Sequence, residues 1–388
     1  MKSRSKLAMD SIVNSRDNLL IIVPPFINSL LPSIVLLNER FKSGLITHLT
    51  LLTLESVGEL GDVIERYSSV LFIDPPLIMN FRSIEERLHG KSIIVMSNHE
   101  VDWVNAEVSI EYTDSLSRTM WQLLGNELDR DSRRFLEASI IYESTIIPNY
   151  DLSSFNAWSV TDPINYPALP GILRLPLSTA LSRAFSPAIP GITGNESEAK
   201  NLVKAVTKKV DAMYRDLGEE QVMDLFKYLS DLILRAGLRG DYLDKLMLGN
   251  RKWIDSNIDV LDSILAIEAQ LVLWEYVNGI MAPILNPEGV KDVDGLATKY
   301  VVMLGNYVGK IDKAGSIDID HGPSLTLIDR LCSIMNFRSE RQGVNFVFRD
   351  SPYQVTCIFN EGEEVRDAQL MFKRPGYSIA IRGVFGEN

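Results

Sequence analysis

The residues that could do chemistry fall in a few places. Ser97-Asn98-His99-Glu100 follows the apolar run Ile93-Ile94-Val95-Met96, with Asp102 two residues on. Asp74 follows a second run, Val70-Leu71-Phe72-Ile73, and precedes Pro75-Pro76. A carboxylate and an imidazole at neighbouring strand ends could share a divalent cation, which activates water and steadies a leaving oxygen. A hard cation needs several converging oxygen or imidazole donors, so Asp74 and His99 alone are too few for a metal pair. Asp74 also reads as a turn residue before two prolines, and His99 reads better as a hydrogen-bonded loop histidine. Asp318, Asp320 and His321 form another carboxylate–histidine group. Alternation puts the two aspartates on one strand face. No third carboxylate at fixed spacing joins them, and a solvated strand edge before Gly322-Pro323 is favoured. The pairs Lys208-Lys209 and Arg133-Arg134 read as solvated helix faces.

The elements that must position these groups alternate in type. Leu19 to Val23 is a continuous apolar run stopped by Pro24-Pro25, and reads as a buried strand. Leu30 to Phe41 reads as a helix and Ile46 to Leu54 as a second run. Val70 to Ile73 and Ile93 to Met96 are the third and fourth, with a short helix at Ile84 to Leu88 between them. Short apolar runs separated by helices predict a parallel sheet covered on both faces, with functional groups beyond the carboxyl ends of its strands. Those ends are Pro24 to Asn28, Asp74, and Ser97 to Glu100. Helices are expected over Ser109 to Leu124 and Arg130 to Tyr142. Pro148 to Gly194 is too long for a simple connection and reads as an ordered functional loop with short helices. Leu202, Val206, Val210, Met213 and Leu217 keep one helix face, as do Val222, Leu225, Phe226, Leu229 and Ile233. Asn257 to Met281 reads as a long buried helix. Strands are expected at Val344 to Phe348, Tyr353 to Phe359 and Tyr377 to Phe385.

Bulk composition narrows the function. The 388 residues suggest two domains with a helical connection, and 46% hydrophobic residues supply more than one core. A net charge of -12 disfavours a protein that grips nucleic acid by counterion release, unless a local basic groove exists. Two cysteines, Cys332 and Cys357, allow one disulfide but suggest no disulfide framework or cysteine metal site, and a reducing compartment is the default. Met1 to Asp10 has no signal-peptide core. Leu19 to Leu37 is apolar but contains Pro24, Pro25, Asn28 and Pro32, so it reads as strand, turn and helix rather than a membrane span.

The strand ends, taken in order, resemble the RecJ-like DHH phosphoesterase superfamily. That family opens with a strand followed by His-x-Asp-x-Asp-Gly, and here the equivalent text is Pro24-Pro25-Phe26-Ile27-Asn28-Ser29. Its second motif is an Asp at a strand end, matched by Ile73-Asp74-Pro75. Its third is Asp-His-His followed by Val-Asn-Pro, against Ser97-Asn98-His99-Glu100 and Val104-Asn105-Ala106 here. The fourth, an Asp late in a helix, falls loosely near Glu143. The most specific match is Pro176-Leu177 through Ala180-Leu181, then Ser186-Pro187-Ala188-Ile189-Pro190-Gly191-Ile192-Thr193-Gly194, similar to a segment of archaeal RecJ-like nucleases. The resemblance covers most of the first two hundred residues. The family's Gly-Gly-Gly-His signature does not appear in the carboxy-terminal part.

The resemblance implies an α/β fold: a degenerate parallel-sheet DHH-like domain over 1–195, a helical connector over 196–284, and a smaller mixed α/β, DHHA1-like domain over 285–388. It places Pro24, Phe26, Asn28, Asp74, Ser97, Asn98 and His99 at motif positions. Family catalysis uses divalent cations, but phenylalanine cannot ligate and proline has no side-chain donor. The expectation is therefore no metal, no cofactor and no catalysis. The implied relatives are the catalytically degenerate archaeal branch, equivalent to the eukaryotic Cdc-forty-five subunit of the replicative helicase. Its partners would be the GINS complex and the MCM helicase, with single-stranded DNA inside that assembly and a cytoplasmic, nucleoid-associated location. The alternative is a single-strand exonuclease or small-nucleotide phosphodiesterase with a reduced site of Asp74, His99, Glu100 and Asp102. Convergence of those carboxylates would favour it; Phe26 filling the space would not.

Overall fold

The computed structural model describes residues 2–79, 82–113, 115–125, 127–247, 250–277, 279–311, 316–320, 322, 324–338, 343–348, 351–359 and 367–383. In chain order the first elements are α1 (Lys2–Asn14), β1 (Leu19–Val23), α2 (Ile27–Lys42), β2 (Thr47–Leu51), α3 (Leu60–Glu65), β3 (Ser69–Ile73), β4 (Ile78–Met79) and α4 (Arg82–Leu88). Then come β5 (Ser92–Ser97), β6 (Val108–Glu111), α5 (Leu116–Leu124), α6 (Arg130–Ile146), β7 (Thr161–Pro163), α7 (Leu177–Ser182), α8 (Glu196–Thr207), α9 (Glu219–Arg235) and α10 (Gly240–Met247). The last are β8 (Arg251–Trp253), α11 (Val260–Leu273), α12 (Ala282–Leu285), α13 (Asp294–Ile311), β9 (Ser316–Ile319), α14 (Leu325–Met335), β10 (Val344–Phe348), β11 (Gln354–Ile358), β12 (Leu370–Arg374) and β13 (Tyr377–Arg382).

Two compact units are built from these elements. The first comprises Met1–Ile140, Asp318–Leu325 and Gly343–Asn388; the second comprises Ile141–Ile317 and Thr326–Gln342. This division differs from boundaries near 195 and 285. In the first unit a five-stranded sheet has the order β2-β1-β3-β5-β6, and every neighbouring pair is parallel. Every residue of β1 and β3 is buried, which is why their sequences are continuous apolar runs rather than alternating ones. The second sheet of this unit has the order β4-β12-β13-β11-β10-β9. Its β4 comes from the first hundred residues: Met79 pairs with Leu370 and Ile78 with Met371. That pairing ties the carboxy-terminal sheet to the amino-terminal part of the chain.

Several expected elements differ in extent. Ser109 to Glu111 is strand, because Ile110 pairs with Met96 on β5; the helix starts only after Ser115, whose side chain accepts from Arg118 N–H at 3.1 Å. The face from Leu202 to Leu217 breaks where α8 ends, with Lys208 left-handed at φ 62°. The Asn257 to Met281 helix is shorter. It begins after Asp259, whose carboxylate accepts from Asp262 N–H at 2.9 Å, and ends at Trp274 with φ 53°. Residues Val260 to Val272 of it are all buried. The strand β12 was not anticipated. Neither cysteine is free. Among the described residues no helix is long and apolar enough to cross a membrane.

The second unit encloses polar groups in its core. Arg330 donates through Nε and Nη2 to the two oxygens of Glu268, at 2.9 and 2.6 Å, and through Nη1 to Ser186 Oγ at 2.8 Å. The Tyr300 hydroxyl donates to the same carboxylate. The Arg330 guanidinium lies near the Tyr142 and Phe185 rings, 4.8 and 5.0 Å from their centroids. The Pro187 to Gly194 string has a steric reason for its last glycine. A Cβ on Gly194, at φ +73°, would come within 2.4 Å of Val301 O, and one on Gly305 within 2.0 Å of Thr193 O. Helix α13 therefore meets this string backbone to backbone.

Candidate functional site

The carboxyl ends of β1, β3 and β5 bring three of the sequence motifs into one parallel sheet. Asp74 leaves β3 with φ 46°, in the left-handed region that non-glycine residues seldom adopt. Its N–H donates to Met96 O at 2.9 Å, pinning the turn to β5. The carboxylate is buried and both oxygens are engaged: Ser29 donates to Oδ2 and Tyr112 to Oδ1. Ser29 lies in the first turn of α2 and Tyr112 just after β6. Neither was singled out from sequence. A serine at the last position of the first motif, where the family has glycine, carries no pattern of its own, and Tyr112 is 38 residues from its partner.

His99 sits half-buried in the loop after β5. Its N–H donates to Ser97 Oγ at 3.1 Å, and its Nδ1 lies 2.9 Å from Asn98 Oδ1. Nε2 is buried and unpartnered. Burial holds the imidazole below its ordinary value, with Lys373 adding to the effect and Asp74 opposing it. The ring is therefore neutral at pH 7.

The first motif closes around an arginine from the far end of the chain. Phe26, 1% exposed, meets Phe372 edge to face with centroids 5.3 Å apart. Arg374 on β12 places its guanidinium 4.2 Å from the Phe26 centroid and donates from Nη2 to Asn28 Oδ1 at 2.7 Å. Phe26, Asn28 and Arg374 are all buried, as is Pro24. A cation–π contact between desolvated groups is worth about 2 kcal/mol.

Glu100 and Asp102 are exposed. Glu143, in the second unit, accepts from the Tyr150 hydroxyl at 2.9 Å. Asp318 points out of β9, and Asp320 follows that strand. His321 lies outside the described residues. Among the described residues no group of three or more His, Cys, Asp or Glu side chains converges. The first-motif donors do not fit a divalent cation: a phenyl ring and a fixed guanidinium stand there, and a positive charge repels a second one. At the first motif the groups in contact make a hydrogen bond and ring packing.

No family model matches the sequence, and no curated protein sequence matches it. Solved structures do match. The crystal structure of CDC45 from Entamoeba histolytica shares 12% identity, aligns over 99% of this chain and 96% of its own, and gives a TM-score of 0.60. RecJ in complex with Mn2+ from Thermus thermophilus also shares 12% identity, over 98% of this chain and 52% of its own, at a TM-score of 0.45. Identity this low speaks of fold alone, and it is the CDC45 match, not the lower-scoring RecJ one, that carries the conclusion. Over nearly its whole length this chain has a fold like that of CDC45 from Entamoeba histolytica.

Proposed function

We propose that this protein is a non-catalytic replication factor, a scaffold subunit of an archaeal helicase assembly that binds a GINS complex and, through it, an MCM ring. The observation that carries this reading is the Arg374 guanidinium over Phe26, bonded to Asn28, in the first motif. A buried cation there opposes the metal chemistry that the RecJ-like resemblance would otherwise imply. The likeness to the CDC45 fold supports the same reading. The net charge of -12 supports protein contacts over independent tight DNA binding. Single-stranded DNA would then meet the protein only inside the assembly, in the cytoplasm at the nucleoid.

Two measurements test it. Size-exclusion chromatography with GINS from the same organism should give one co-eluting complex at micromolar concentration; separate elution at low and moderate salt counts decisively against the partner. End-labelled oligonucleotides incubated with manganese should stay intact. Cleavage that vanishes in an Asp74→Ala, His99→Ala double variant would mean the chain is an enzyme after all.

A further inference from the structure

Helix α11 ends on a residue that its backbone disfavours. Trp274 closes the helix with φ 53° and ψ 28°, in the left-handed region. Glycine is the usual residue at such an end, because it has no Cβ to clash. The other described non-glycine residues with positive φ are Asp74, Asn149, Lys208 and Asp367, none of them aromatic. A bulky side chain held in this region is an outlier that points to a role. Burial does not account for it. Val260 to Val272 are all buried, but the indole at their end is 45% exposed.

A second aromatic ring stands beside it. Tyr276 is 52% exposed, and its ring lies at 80° to the indole with centroids 6.5 Å apart. Two rings set in this way form a corner, and a point in it lies within about 6 Å of both centroids, the range over which a ring face attracts a cation. Glu275, between them in sequence, is exposed and lies 3.5 Å from the exposed Lys299 ammonium. So exposed an ion pair is worth little and yields to a better-placed cation. The carboxyl end of this 14-residue helix adds negative potential. The loop that follows is held in place. The buried Gln270 side chain accepts from Val277 N–H at 2.7 Å and donates to Ala266 O at 3.2 Å.

We propose that Trp274, Glu275 and Tyr276 form a docking point for an arginine side chain on a basic segment of a partner protein. Charge complementarity selects this occupant. Two ring faces, a carboxylate and a helix carboxyl end all attract positive charge. The net charge of -12 steers a basic segment toward the chain and repels the phosphates of a nucleic acid. The planar guanidinium stacks on a ring while its donors reach the Glu275 carboxylate, a combination that a lysine ammonium makes less well. Because the loop is already held, little ordering opposes binding.

The test uses the full chain and a fluorescein-labelled peptide of arginines spaced by glycines, with binding read by fluorescence anisotropy at low salt. Trp274→Leu keeps an apolar side chain but removes the ring face. It should weaken binding about 5-fold without altering the net charge, and Tyr276→Leu should do the same. Trp274→Phe, which keeps a ring face, should weaken it less. Glu275→Gln should weaken it, whereas Glu288→Gln, an equal change of charge at another exposed carboxylate, should not. Circular dichroism should show every variant folded. A wild-type chain that does not bind the arginine peptide overturns the proposal, as does unchanged affinity in the folded Trp274→Leu variant. Equal effects of Glu275→Gln and Glu288→Gln overturn it in favour of general attraction to an acidic chain. Binding of oligothymidine that is lost in Trp274→Leu overturns it in favour of a base-stacking surface.

Discussion

Arg374 and Asn28 are 346 residues apart in sequence and joined by a 2.7 Å hydrogen bond, with Phe26 stacked against the same guanidinium. One side chain thus ties the last sheet to the first motif.

Replacing it should show its structural weight. Arg374→Met removes the cation–π contact and leaves the buried Asn28 oxygen without this donor, a loss of about 2–4 kcal/mol. Urea unfolding followed by circular dichroism reads this directly. Calorimetric titration of the same variant with manganese should show no site, because Phe26 still occupies the motif. Heat that saturates at a fixed stoichiometry would contradict that.

The buried pair of Arg330 and Glu268 predicts non-additive energetics. Arg330→Met leaves Glu268 charged and unmatched in the core and should cost about 3–5 kcal/mol. An Arg330→Met, Glu268→Leu double variant should be more stable than the Arg330→Met single one. Equal stability of the two would mean the lone carboxylate is not what costs.

Two glycines of one helix should respond in opposite ways. Gly305→Ala sets a methyl 2.0 Å from Thr193 O and should destabilise by roughly 1–3 kcal/mol. Gly309→Ala meets nothing within 4 Å and should be neutral or stabilising by roughly 0.5–1 kcal/mol. Melting temperatures of the two variants, compared with the parent, check the close approach of α13 to the Gly194 string.

Lys245 is 4% exposed. Burial pushes its ammonium down from 10.5 to about 8, against the attraction of Asp241 and Asp244. Between those values the unfolded chain holds a proton that the folded chain has lost, so this residue makes stability rise with pH from about 8 to 10.5. Below pH 8 both states are protonated and the full burial penalty remains. Lys245→Met should therefore stabilise the protein at pH 7, by up to about 3 kcal/mol. The gain should shrink as pH rises through that window. A stability difference between parent and variant that does not change from pH 7 to 10 would contradict the assignment.

By itself the sequence determined the three central strands of the first sheet. Leu19 to Val23, Val70 to Ile73 and Ile93 to Met96 are strands within a residue of where their apolar runs place them, since a strand buried on both faces must be apolar throughout and prolines or aspartate must end it. It also determined that Phe26 could not ligate a metal, because side-chain chemistry needs no fold to be read. Tertiary structure alone decided what stands there instead. Ser29, Tyr112, Phe372 and Arg374 give no local signal, since each acquires its role from a partner that distant chain segments bring near. The same holds for β4, two residues long, whose strand character comes from its pairing with β12. Helix ends followed this rule too. The 3.6-residue apolar spacing continued past Thr207, but one left-handed residue, Lys208, turned the chain away. Periodicity records which face is buried, whereas termini, ion pairs and strand partners depend on contacts that exist only once the chain has closed on itself.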